Sequence, residues 1–290
     1  VDGTPVVSDA YIKTTSSGDP SWRTILVGTL GGGGTGLFAL DITEPEKFND
    51  DEDPDKPIVL WEFTQDNFED LGYTYSRPTV ALLNDGRWAA ITGNGDAPEG
   101  LDGYLLILYL EGGIDDWSAE NVDYRLIYAG DESGGLSSPT VIDTDGDGDA
   151  DRAYAGDTEG NLWVFDLSSS NTDDWEEEAT LLFHNSRPQP ITVKPTVVRH
   201  PTVSSDDNNA PNVMVLFGTG RLNTEEDKID DPDVQTFYGI WDKGEREPPI
   251  TGDPTYPITL DDLVPQNFVD DGDDDTRITD PFLEVDYEGD

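Results

Sequence analysis

Five aspartates alternate through one short stretch, Asp143, Asp145, Asp147, Asp149 and Asp151, in the run DTDGDGDAD. Carboxylates at every second position suit a hard divalent cation. Calcium takes six to eight oxygen ligands, and a tight loop supplies them from alternate residues. Asp143, Asp145 and Asp147 then occupy loop positions one, three and five, and Gly148 at position six permits the sharp turn. Asp149 at position seven is expected to offer its backbone carbonyl, and Asp151 at nine to close the shell directly or through water. An all-oxygen donor set disfavours zinc and copper, and magnesium would demand stricter octahedral geometry.

An EF-hand carries glutamate at position twelve and a helix on either side. Here position twelve is Tyr154, and the flanks Pro139–Ile142 and Arg152–Ala155 read as strands. The expectation is a hairpin calcium loop joining two strands of one sheet.

The elements that must hold this loop follow from internal similarity. Four segments open with proline and a β-branched run: Pro5-Val6-Val7, Pro78-Thr79-Val80, Pro139-Thr140-Val141 and Pro195-Thr196-Val197. Proline costs little as the first residue of a strand. Each unit continues with a second strand ending in glycine and a third strand, as in Trp22–Gly28 followed by Gly36–Asp41. Fourth strands are expected at Ile58–Phe63, Tyr124–Tyr128 and Ala179–Phe183; the outer strand of the last unit is not evident. Short runs bounded by Gly, Asp, Asn and Pro, with no sustained helical stripe, predict an all-β chain. Four strands repeated at this spacing predict a β-propeller with four visible four-stranded blades and part of a further one. Residues 1–250 are assigned to blades, and 251–290 to an acidic C-terminal segment of the same domain, with a possible strand at Phe282–Tyr287. Phe38, Trp61, Trp163, Phe165 and Trp241 are the expected filling between blades.

Composition narrows the function. The 290 residues carry 63 acidic and 16 basic side chains, a formal net charge of −47. Such a surface repels nucleic acid and anionic lipid, so neither is expected as a partner. The acid is spread over the whole chain, which favours adaptation to high salt over wholesale cation binding. With 7 Trp, 11 Tyr and 10 Phe the chain is nonetheless expected to fold around a core. The absence of cysteine excludes disulfides, thiol catalysis and Cys-ligated metal centres. His184 and His200 are too few for a multi-histidine site. No apolar run is long enough to span a membrane; Leu105–Leu110 is strand-length. The opening VDGTPVVSDAYI reads like the inside of a β domain, so the chain is expected to be a fragment.

With the loop, the YAGD that ends in Asp157 and the GNLW-FDL of Gly160–Leu167 in view, the chain resembles the C-terminal propeller of the PilY/PilC family of type IV pilus tip adhesins and biogenesis factors. Trp22–Gly28, Gly36–Thr43 and Phe217–Arg221 continue the resemblance. It implies an exported, non-catalytic, pilus-associated protein at the cell surface or pilus tip. Its partners would be minor pilins and a host or surface receptor, and its calcium would be held by Asp143, Asp145, Asp147, Asp149 and Asp151. Val164 stands where the family often has arginine. The residues leave two alternatives open. Gly36–Asp41 followed by Leu60–Phe63 also resembles the blade repeat of quinoprotein dehydrogenases, and a structural surface-layer propeller would bind calcium as well.

Overall fold

The computed structural model describes residues 2–48, 58–97, 100–118, 122–131, 133–175, 178–187, 189–201, 211–223, 227–228, 234–244, 256–265, 268–270 and 277–279. Three four-stranded antiparallel sheets follow one another along the chain. The first holds β1 (Val6–Ile12), β2 (Ser21–Thr29), β3 (Gly36–Asp41) and β4 (Val59–Thr64). The second holds β5 (Thr79–Leu82), β6 (Trp88–Gly93), β7 (Tyr104–Tyr109) and β8 (Tyr124–Tyr128). The third holds β9 (Thr140–Ile142), β10 (Arg152–Gly156), β11 (Leu162–Asp166) and β12 (Thr180–Phe183). A fourth sheet has three strands among the described residues: β13 (Thr196–Arg199), β14 (Val213–Gly218) and β15 (Phe237–Asp242). A two-stranded ladder pairs β16 (Phe268–Asp270) with β17 (Arg277–Thr279). Each sheet runs in simple meander order, and the first strands β1, β5, β9 and β13 lie beside one another in turn. This is the blade arrangement of a β-propeller.

Strand alternation explains the stacking. Successive side chains point to opposite faces, so a strand between two sheets is apolar at every position. In β7, Leu106 and Leu108 pack towards the first sheet with Ile25, Val27 and Phe63, whereas Leu105 and Ile107 pack towards the third with Ala153 and Phe165. In β10 and β11, Tyr154, Leu162 and Val164 face the fourth sheet, meeting Val215, Phe217 and Ile240. Among the described residues three apolar seams therefore join four sheets, and the indole of Trp61 pins the first by donating to the Leu110 carbonyl at 3.2 Å.

Of the five aromatics expected between sheets, Trp61, Trp163 and Phe165 lie in the seams. Phe38 and Trp241 do not. Phe38 follows Leu37, which already faces the first seam, so its ring lies on the opposite side, over Gly28. Trp241 follows Ile240 and likewise faces away, stacked on His200 at 4.1 Å with the Lys243 ammonium 4.4 Å from its ring. Both stay half-buried because the first and fourth sheets each commit one face to a seam.

Within 251–290, Ile258 bridges to Phe183 and packs in the third seam beside Tyr256, Leu260 and Leu263. The expected strand at Phe282–Tyr287 lies outside the described residues, as does the acidic run at 271–275. No helix among the described residues is long and apolar enough to cross a membrane.

Glycine closes two units for a steric reason. A Cβ on Gly93 would lie 2.2 Å from the Leu136 carbonyl oxygen, and one on Gly156 would lie 2.1 Å from Ile191 Cγ2. In both places the chain entering the next sheet runs across the end of the second strand. At Gly218 the nearest atom is 4.0 Å away. Gly93→Ala is therefore expected to lower stability by about 1–3 kcal/mol through overpacking, and Gly218→Ala to change it by less than about 0.5 kcal/mol, in urea unfolding at fixed salt.

Candidate metal centre

The aspartate loop is the turn between β9 and β10. Its backbone is folded by its own side chains. Asp143 accepts from the Gly146 N–H at 2.6 Å and the Gly148 N–H at 2.9 Å; Asp145 accepts from the Asp147 N–H at 3.1 Å, and Asp147 from the Asp149 N–H at 2.9 Å. These nested bonds are what short Asp side chains do in turns. Gly146 and Gly148 sit at φ +89° and +101°, a region that L side chains avoid, so the loop needs glycine at both positions.

Carboxylate oxygens of Asp143, Asp145 and Asp151 lie within 4.8 Å of one another. Asp143 and Asp145 are exposed and Asp151 is buried at 1% exposure, so the group is open on one side and anchored on the other. Asp147 and Asp149 belong to the same turn but stand outside this group.

The carboxylates repel one another. For Asp149, loss of solvent and then the charges of Asp147, Asp143, Asp151 and Asp145 push the pKa above the usual carboxylate value. Asp145 is pulled down by the Asp147 N–H, yet desolvation and the charges of Asp151, Asp147 and Asp143 outweigh that bond and its pKa also rises. A cation at the centre would remove this strain, and the donors present are hard oxygens, which fits calcium.

Asp151 is held from three directions. Its Oδ2 accepts from the Thr144 N–H at 2.7 Å and the Thr144 hydroxyl at 2.8 Å, and its Oδ1 accepts from the Asn84 side-chain amide at 3.1 Å. Its backbone N–H donates to Ile142 and its carbonyl accepts from Leu167. Neither Thr144 nor Asn84 was among the residues expected from the sequence. Thr144 could have been found inside the loop, whereas Asn84 lies in the turn of the preceding sheet and nothing local to the loop points to it.

The motif after the loop is structural in its contacts. Tyr154 donates its hydroxyl to Asp242 at 2.7 Å; burial first, then the Asp242 charge, push its pKa well above that of free tyrosine, so it remains a donor. Arg152 lies 3.3 Å from Asp166 and 3.9 Å from Asp242. Asp157 accepts from the Trp163 indole at 2.7 Å, from Asn161 N–H at 2.8 Å and from Gly134 N–H at 3.2 Å, which ties the third sheet's turn to the segment entering that sheet. His184 Nδ1 is bonded to Asn161 Oδ1 at 2.8 Å. Arg221, at the end of the FGTGR run, pairs with Asp227 at 2.8 Å and approaches Asp96 of the second unit at 3.9 Å, while the neighbouring Asn223 carbonyl accepts from the Tyr75 hydroxyl.

Stacked antiparallel blades, one of them carrying an acidic hairpin, define a β-propeller with a candidate cation loop. The family described as the PilY1 beta-propeller domain matches residues 1–256. The chain is 37% identical over 282 residues to the type IV pilus biogenesis factor PilY1 of Pseudomonas aeruginosa (strain UCBPP-PA14), a match covering 88% of this chain and 22% of that protein. It is 35% identical over 268 residues to a type IV pilus biogenesis factor PilY1 homolog of Xylella fastidiosa (strain Temecula1), covering 87% of this chain and 17% of that one. The crystal structure of the Pseudomonas aeruginosa PilY1 C-terminal domain aligns with a TM-score of 0.63 at 36% identity, covering 84% of this chain and 49% of that domain's chain. The chain belongs to the PilY1 β-propeller family. It spans about a fifth of the length of these curated relatives.

Tyr154→Phe strips one donor from the buried Asp242 and is expected to cost about 1–3 kcal/mol in urea unfolding, whereas Tyr11→Phe, on an exposed ring, should stay within about 0.5 kcal/mol.

Proposed function

We propose that this chain is the calcium-binding, non-catalytic propeller of a type IV pilus-associated protein displayed at the cell surface or pilus tip. The observation that carries the calcium reading is the convergence of Asp143, Asp145 and Asp151 within 4.8 Å in a turn already folded by its own backbone bonds. Asp147 joins them through its side chain and Asp149 through its carbonyl when the ion binds, which gives an all-oxygen shell. The pilus reading rests on the relatives, which are named pilus biogenesis factors. Its partners are minor pilins and a surface receptor, and calcium acts by ordering the hairpin on which pilus function or attachment depends. Residues 251–290 belong to the same domain, in keeping with the packing of Ile258 in the third seam. The dispersed acid is an adaptation to high salt, where screening weakens self-repulsion.

Calcium that binds only the folded state stabilises by about 2.7 kcal/mol at a hundredfold excess over Kd, or about 4–5 °C in Tm for a chain of 290 residues. Scanning calorimetry in calcium and in chelator, at one high ionic strength, should show this rise in the unsubstituted protein. Asp145→Ala and Asp151→Ala should abolish it. Equal Tm values in calcium and chelator for the unsubstituted protein would overturn the calcium reading. In cells, the same substitutions in the full-length parent protein should impair pilus extension, retraction or attachment, and unchanged pilus behaviour would overturn the functional role.

A further inference from the structure

We infer that Asn84 is a positioning residue for the ion site, and that through it the calcium loop spans two sheets. The inference rests on the calcium reading above. Asn84 sits in the turn between β5 and β6 of the second sheet, and its side-chain amide nitrogen meets three acceptors of the third unit: the Ala150 carbonyl at 3.1 Å, Asp151 Oδ1 at 3.1 Å and the Leu167 carbonyl at 3.2 Å. All three partners only accept, which fixes that end of the side chain as the nitrogen. The turn is held against the loop by the backbone as well, since Ala150 N–H donates to the Leu82 carbonyl at 2.9 Å and Leu83 forms a parallel bridge with Ala150.

The consequence falls on the one buried ligand. A carboxylate has about four lone-pair directions. Thr144 fills two on Oδ2 and Asn84 one on Oδ1, so one direction on Oδ1 remains for a cation. Asn84 thereby turns Asp151 towards Asp143 and Asp145. Strand alternation sets the side from which this support comes. Asp151 shares the face of Ala153, towards the second sheet, whereas Arg152 shares the face of Tyr154, towards Asp242 in the fourth. Binding at the loop is therefore linked to the seam between the second and third sheets, and calcium should tighten that seam.

Titration calorimetry with calcium chloride at fixed high ionic strength tests this on the unsubstituted protein and on Asn84→Ala, Asn84→Ser and Leu83→Ala. Removing an outer partner of a metal ligand typically costs about 10–100-fold in affinity, so Asn84→Ala should raise Kd about tenfold or more, with Asn84→Ser in between. Leu83→Ala trims one apolar side chain from the same seam, which stays closed through its other members, and removes no partner of Asp151, so Kd should stay within about twofold of the unsubstituted value, below that range. Amide exchange supplies a second readout: calcium should slow exchange at Ala150 in the unsubstituted protein and not in Asn84→Ala. Calcium binding by the unsubstituted protein, with unchanged Kd in whichever Asn84 variant folds, would overturn this inference and leave the calcium reading standing. So would an equal loss of affinity in Leu83→Ala. No calcium binding by the unsubstituted protein would overturn both.

Discussion

A sheet has two faces, and in this chain neither face of an interior sheet is left to water. That constraint orders the rest. Leu105, Leu106, Ile107 and Leu108 are all buried because alternate residues serve the second seam and the first. The same rule gives Tyr154 to the fourth sheet and Ala153 with Ala155 to the second. Small residues then become necessary where one chain must cross another, as Gly93 and Gly156 do beneath Leu136 and Ile191. The hydrophobic term scales with the apolar area covered, so face-to-face stacking is how short strands rich in glycine and proline acquire a core.

The acidic hairpin is built onto this frame and inherits its geometry. Five carboxylates in nine residues would splay a free loop. Here the ends are fixed by β9 and β10, and the interior is folded by Asp143 and Asp145 accepting backbone N–H groups. What remains unbalanced is charge, which adds to desolvation in raising the pKa of Asp149 and, against the lowering bond from the Asp147 N–H, that of Asp145. A site of this kind has little shape left to form when an ion arrives. The expected effect of calcium is local ordering and tighter seams, in contrast to the large opening of a sensor helix pair.

Much of this could be read from the residues. The proline-led units, the glycine ending each second strand and the alternation of the strands mark the sheets to within a residue or two, and the spacing of the aspartates with Gly148 marks the turn. Other features depend on which neighbour a face meets, and local pattern does not carry that. Phe38 and Trp241 look like seam residues until Leu37 and Ile240 are seen to hold the seam already. Asn84 is one polar residue in an ordinary turn until the third sheet places Asp151 beside it. The fourth sheet's outer edge, not evident in the sequence, shows only three strands among the described residues.

With a net charge of −47, weak and dispersed cation binding is expected anywhere on this surface. We propose that one position among these many acids is built for an ion. Equilibrium dialysis with radioactive calcium at high monovalent salt tests it most directly, because screening suppresses the dispersed binding. One calcium per chain is expected, lost when Asp145 and Asp151 are both replaced by alanine. Several weakly held ions per chain, unchanged by that double replacement, would contradict it.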